Sequence, residues 1–145
     1  DMGDPVFDHI FDPFRSDRGG TPASVAEVVS SSLPADPMAC LEQGRSRATQ
    51  IGCAIYVLGN MIGSTVAHEL GHSMGLAEPG SETVFHNLGD RAYRLMDSGS
   101  LRPFLERAGF GGDGLERFCI SNYQYLRSIL IRPGTEDPLA IRPDC

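Results

Sequence analysis

Apolar positions fall into a handful of segments separated by turn-forming residues. The first, PVFDHIF over residues 5–11, packs apolar and aromatic side chains between turn formers and reads as a strand, followed by a loop from Asp12-Pro13 to Gly19-Gly20. From Thr21 to Leu33 the pattern changes. Val25, Val28, Val29 and Leu33 recur at helical spacing, and Thr21 as N-cap with Pro22 at the first helical position predicts a short surface helix. Residues 34–47, rich in proline, glycine and charge, read as an exposed loop.

Residues 51–58 satisfy two periods at once. Taken alone they alternate like a buried strand, yet Ile51, Ile55, Leu58 and Ile62 also line up with the period of a helix, so the pattern leaves both readings open. The helical spacing then continues through Val66 and Leu70 to Met74, where Gly75 offers a stop, and this predicts a helix over residues 63–74. Residues 78–100 read as loop. Two further helices are predicted at 102–107 and 115–130, the second marked by Phe118, Tyr125, Leu126 and Ile129, and the three prolines after Arg132 predict an extended tail to Cys145. The chain carries no internal repeat and no low-complexity tract.

A length of 145 residues fits one domain over residues 1–145, and 17 glycines with 10 prolines imply many turns. The net charge of -7 leaves no basic footprint for a phosphate backbone, which argues against nucleic acid and equally against an anionic membrane surface. No apolar run approaches the ~18 residues of a membrane span, and the first residues, DMGD, are acidic. Cys40, Cys53, Cys119 and Cys145 form no CxxC pair, so two disulfides are expected in place of a metal cluster. Pairing Cys40 with Cys53 and Cys119 with Cys145 closes the shortest loops. Disulfides imply an exported, secreted protein, from which a leader and a pro-segment before Asp1 would have been removed.

The chemistry concentrates in one pentapeptide. In His68-Glu69-Leu70-Gly71-His72 the i, i+4 spacing puts two imidazoles on one face of a helix, one turn apart, where they can share a tetrahedral cation. Glu69 then lies beside the metal, placed to hydrogen-bond a metal-activated water and act as general base. The competing reading is a surface helix with two unrelated histidines around a solvated glutamate. It must explain why Gly71 sits inside a helix, at roughly 1 kcal/mol relative to alanine, without a packing or access reason.

The stretch HELGHSMGLAEP resembles the metzincin signature of zinc peptidases, and Arg94-Leu95-Met96-Asp97-Ser98-Gly99 resembles the Met-turn that runs beneath the metal in that clan. The resemblance covers residues 66–99. It departs from the clan's pattern at the third histidine, whose place is taken by Glu78, with His86 the next histidine along. Glu78 keeps the register and snapalysin-like members use an acidic residue there. His86 requires an insertion, as in leishmanolysin-like members, but supplies the usual imidazole, and it is preferred over Glu78, with Asp90 a more distant choice.

The resemblance implies an α+β domain, with a small mixed sheet and the active-site helix above a cleft and the Met-turn and a C-terminal helix below it. Only 67 residues precede His68, so that sheet is expected to be reduced or incomplete. The implied activity is zinc-dependent endopeptidase cleavage of peptide or protein substrates by a monomer, with Zn²⁺ on His68, His72 and His86 or Glu78, and Glu69 as general base. Tyr93 or Tyr123 could steady the oxyanion. Two rivals stand beside this reading. One is a scaffold that keeps the metal helix without turnover; the other is a zinc hydrolase completed by a carboxylate from Glu106 or Glu116.

Overall fold

A computed structural model shows a helical chain. It describes residues 3–76, 86–87, 92–112 and 114–130. Among them there is no β-strand, only isolated bridges between Asn87 and Asp97 and between Arg94 and Arg117. The expected α+β fold with a mixed sheet is therefore corrected to a helical one, for reasons local to two segments.

The first is the presumed strand at residues 5–11. It is helix α1, Pro5–Phe11, because Asp4 caps it by accepting hydrogen bonds from the Val6 and Phe7 backbone N–H groups, and Pro5 is preset for the first turn. Seven apolar-rich residues fit two helical turns as well as a strand, so the capping residue decides. Phe7 and Phe11, one turn apart, meet at 4.7 Å between ring centroids, and Phe7 also meets Phe104 edge-on at 5.4 Å.

The second is the ambiguous stretch at 51–58, which belongs to a single helix, α3, running Arg47–Ser73 over 27 residues. Ser46 caps its start, and no proline interrupts it. Its inward stripe is Cys53, Val57, Asn60, Ser64, His68 and Gly71, at steps of three or four, all buried or half-buried. The bulkier apolar stripe lies elsewhere: Leu58, Ile62, Val66 and Leu70 are each about half exposed. By length and composition α3 is also able to cross a bilayer, with an 18-residue window of mean hydropathy 1.3, of which 28% is buried here. Short polar interruptions hide this from a search for unbroken apolar runs. A core helix of a soluble protein passes the same test.

Helix α2, Val25–Ser30, is shorter than expected and is capped by Ser24 in place of Thr21. Ser24 and Glu27 form a reciprocal capping box, and the Ser24 backbone N–H and hydroxyl, together with Arg47 of α3, hold the Glu27 carboxyl down at about 2. The loop expected at 34–47 contains a 3₁₀ turn, Pro37–Leu41, that buries Cys40. Helices α4, Phe104–Arg107, and α5, Ile120–Ile129, fall inside the two segments expected to be helical.

The main core joins Ile10 of α1, Cys40, Cys53 and Val57 of α3, Phe104, Ala108 and Phe110. Asn60 of α3 donates to the Ala108 carbonyl at 2.9 Å, fixing the end of α4 against this core. A smaller cluster of Leu76, Met96 and Leu126, with Met74 and Phe118 beside it, lies under the C-terminal end of α3.

Cys40 and Cys53 form the expected disulfide, at a sequence separation of 13. Cys119 is also disulfide-bonded, while its expected partner Cys145 and the extended tail lie outside the described residues. The bridge is compatible with an extracellular protein. Closing a loop of this length restricts the unfolded chain by about 3 kcal/mol, so Cys40→Ala/Cys53→Ala is expected to lower the thermal midpoint by roughly 10 °C. Circular dichroism melts of both proteins check this; equal midpoints would show that the bridge contributes nothing to stability.

Candidate metal centre

The C-terminal half of α3 brings His68 and His72 to one edge of the helix. His68 is buried and His72 half-buried, with their Nε2 atoms 3.0 Å apart. His86 joins them from a separate segment. Its ring lies nearly parallel to His68 with centroids at 5.3 Å and perpendicular to His72 at 5.0 Å, and one ring nitrogen of each of the three histidines lies within 4.8 Å of the others. Nitrogens around a tetrahedral ion with ~2.1 Å bonds sit ~3.4 Å apart, so a modest rotation of the imidazoles closes the set. The three histidines could hold a metal ion.

The protonation of His68 fits that role. Its Nδ1 lies 2.7 Å from the Leu95 carbonyl oxygen, which can only accept, so Nδ1 carries the proton and Nε2 presents its lone pair toward His72. Metal-ligating imidazoles are oriented by such an outer hydrogen bond. Nothing in the residue order singles out Leu95, since a backbone carbonyl has no side-chain signature. The His86 imidazole titrates below its ordinary range, because burial and the neighbouring His68 and His72 disfavour its cation, with Glu69 opposing them. Low basicity keeps its lone pair available near neutral pH.

Two glycines make this geometry accessible. A Cβ at Gly71 would stand 2.5 Å from the Met96 sulfur and 3.2 Å from Leu76 Cδ1, so the glycine is where the helix rests on the Met96 side chain. That is the packing reason the sequence demanded. Gly75, at φ +85, ends the helix: Gly75 N–H donates to the His72 carbonyl and Leu76 N–H to the Gly71 carbonyl, a Schellman closure. Tyr125 of α5 donates to the Met74 carbonyl at 3.0 Å and braces the same turn.

The turn at Met96 is pinned from below. Leu95 N–H donates to the Arg117 carbonyl and Arg117 N–H to that of Tyr93, whose φ of 62 is left-handed. The buried Glu106 carboxylate accepts from the Tyr93 N–H at 2.7 Å, and burial raises its pKa. Arg102 and Glu116 form a buried ion pair nearby.

The other site residues read from the sequence divide as follows. Glu69 is exposed beside the histidines, within electrostatic reach of His86. Glu78 and Asp90 lie outside the described residues. Tyr93 packs its phenol against Gly111, and Tyr123 is half-buried on α5; neither is part of the histidine group. Glu106 and Glu116, the carboxylates that a zinc hydrolase would recruit, are committed to Tyr93 and Arg102. His9, the one remaining histidine and not a site residue, sits on α1, where its carbonyl accepts from Arg45.

No protein-family model, curated protein or solved structure matches the chain.

Proposed function

We propose that this chain is a zinc-dependent endopeptidase, exported to an oxidising compartment, with His68, His72 and His86 as metal ligands and Glu69 as general base. The convergence of His86, brought in from a separate segment, on the HExxH pair carries the reading. Three imidazoles leave a fourth position open, which is the donor set of a catalytic rather than a structural zinc site. Support also comes from the likeness of residues 66–99 to the metzincin metal helix and Met-turn, a likeness limited to those two elements.

Zinc held there supplies Lewis acidity, bringing a water's pKa toward ~7 and polarising the scissile carbonyl. The protein's own part is proton transfer and orientation. Glu69 is exposed beside the histidines, so its carboxylate can take a proton from the attacking water and return it to the leaving amine. His68 is held in one tautomer by Leu95, and Met96 under Gly71 keeps the ligand helix at a fixed height above the turn.

Substitution separates the two third-ligand assignments. His86→Ala is expected to weaken zinc affinity at least 100-fold and abolish cleavage of an unfolded protein such as casein, whereas Glu78→Ala keeps full zinc occupancy. Zinc content after dialysis, read beside proteolysis with and without chelator, checks both. Loss of zinc from Glu78→Ala with retention in His86→Ala would transfer the role to Glu78. Full zinc with no cleavage of any unfolded substrate would favour the scaffold reading.

A further inference from the structure

His86 reaches the other two histidines from a segment of which only His86 and Asn87 are described, and among the described residues Asn87 ties this segment to the turn at Met96. The Asn87 N–H donates to the Met96 carbonyl at 3.0 Å, and Asn87 and Asp97 form a parallel bridge. The same turn supplies the Leu95 carbonyl to His68 and the Met96 side chain to Gly71. One four-residue turn thus touches both ligand-bearing elements.

The side chains of the bridge are unusual. Asn87 is 7% exposed and Asp97 2%, and Asn87 Nδ2, Asn87 Oδ1 and Asp97 Oδ1 are sealed from solvent with no hydrogen-bond partner at normal geometry among the described residues. Sealing such groups away from water without partners is costly, so an apolar pair of the same size would make a more stable protein. Burial raises the Asp97 carboxyl's pKa, opposed by the nearby Asn87 amide, Arg94 and Arg102. A polar pair that is not there for stability, one residue from a metal ligand, calls for another role.

We propose that Asn87 and Asp97 are positioning residues that set the register of His86 against His68 and His72 and thereby tune metal affinity. The inference rests on the three-histidine metal centre proposed above. It requires affinity and stability to move independently. Removing the polar pair should leave the apo-protein folded, or more stable, while His86 wanders from the bonding position.

The test uses Asp97→Leu, which keeps the side-chain branching and removes the polar atoms, and Asp97→Asn, which is isosteric and preserves a hydrogen-bonding group. Zinc dissociation constants come from competition with a chromogenic chelator, coordination geometry from the visible spectrum of the cobalt(II)-loaded protein, and stability from melts of the apo-protein. Asp97→Leu is expected to bind zinc 10- to 100-fold more weakly, with a weaker cobalt spectrum and an apo midpoint equal to or above wild type. Asp97→Asn is expected to recover most of that loss. Unchanged zinc affinity in folded Asp97→Leu overturns the proposal, as does a parallel fall of affinity and apo stability, which marks a merely structural pair. If Asp97→Leu does not fold, Asn87→Ala is judged by the same criteria. A wild-type protein that binds no zinc refutes the metal centre and this role with it, whereas strong wild-type binding shared by every variant refutes this role alone.

Discussion

Glu69→Gln is expected to keep its zinc and its fold while losing at least ~100-fold in the rate of peptide cleavage, the usual scale for a general base. The amide matches the carboxylate in shape but cannot accept a proton at neutral pH. Because Glu69 is exposed and lies outside the histidine group, its replacement removes neither a ligand nor a packing contact of the core. The comparison needs three measurements on one preparation: zinc content, helical circular dichroism and casein hydrolysis. A fully active Glu69→Gln protein would remove Glu69 from the mechanism and direct attention to a contaminant. A variant that lost zinc along with activity would make Glu69 a ligand instead of a base.

His68→Ala should have the larger effect on the metal and a measurable one on the fold. It deletes one of the three imidazoles and also the bond from Nδ1 to the Leu95 carbonyl, which ties α3 to the turn beneath it. Zinc binding at micromolar metal is expected to disappear, as it should in His72→Ala. The two differ in stability: His68 is buried at 6% exposure and bonded to the turn, so His68→Ala leaves a cavity and an unpaired carbonyl, at about 2–4 kcal/mol, beyond the cost at half-buried His72. Equilibrium dialysis and apo-protein melts read the two effects separately. Full zinc occupancy in either variant would sink the metal centre.

The gain from the metal follows from the same geometry. A ligand that binds the folded state alone adds RT ln(1 + [L]/Kd) to stability, about 4 kcal/mol at a thousandfold excess over Kd. Chelation is therefore expected to lower the melting midpoint as well as the activity.

How much of this was written in the residue order depends on the range over which each signal acts. The metal helix was legible because HExxH is a local motif: four residues of separation put two imidazoles on one face whatever the rest of the chain does. Gly75 announced the helix end for an equally local reason, since its φ of +85 suits glycine. The Cys40–Cys53 bridge was also near enough in sequence to be read from loop length.

What tertiary structure alone decided was which face of each element turns inward and which distant groups meet. At 5–11 apolar content pointed to a strand and at 51–58 it left strand and helix open; the local Asp4 cap and the unbroken helical hydrogen bonding of α3 made both segments helical, and the expected sheet is absent among the described residues. Hydrophobicity also misdirects along α3. Leu58, Ile62, Val66 and Leu70 make the more apolar stripe, yet the inward stripe is the mixed one through Cys53, Asn60 and His68, held by a disulfide, by a hydrogen bond to Ala108 and by the Leu95 carbonyl. The convergence of His86 on His68 was open in the sequence because it turns on long-range contacts: a backbone bond from Asn87 to Met96, and a methionine seated under a glycine. Such contacts carry no periodicity and no motif, so they exist only once the chain has folded.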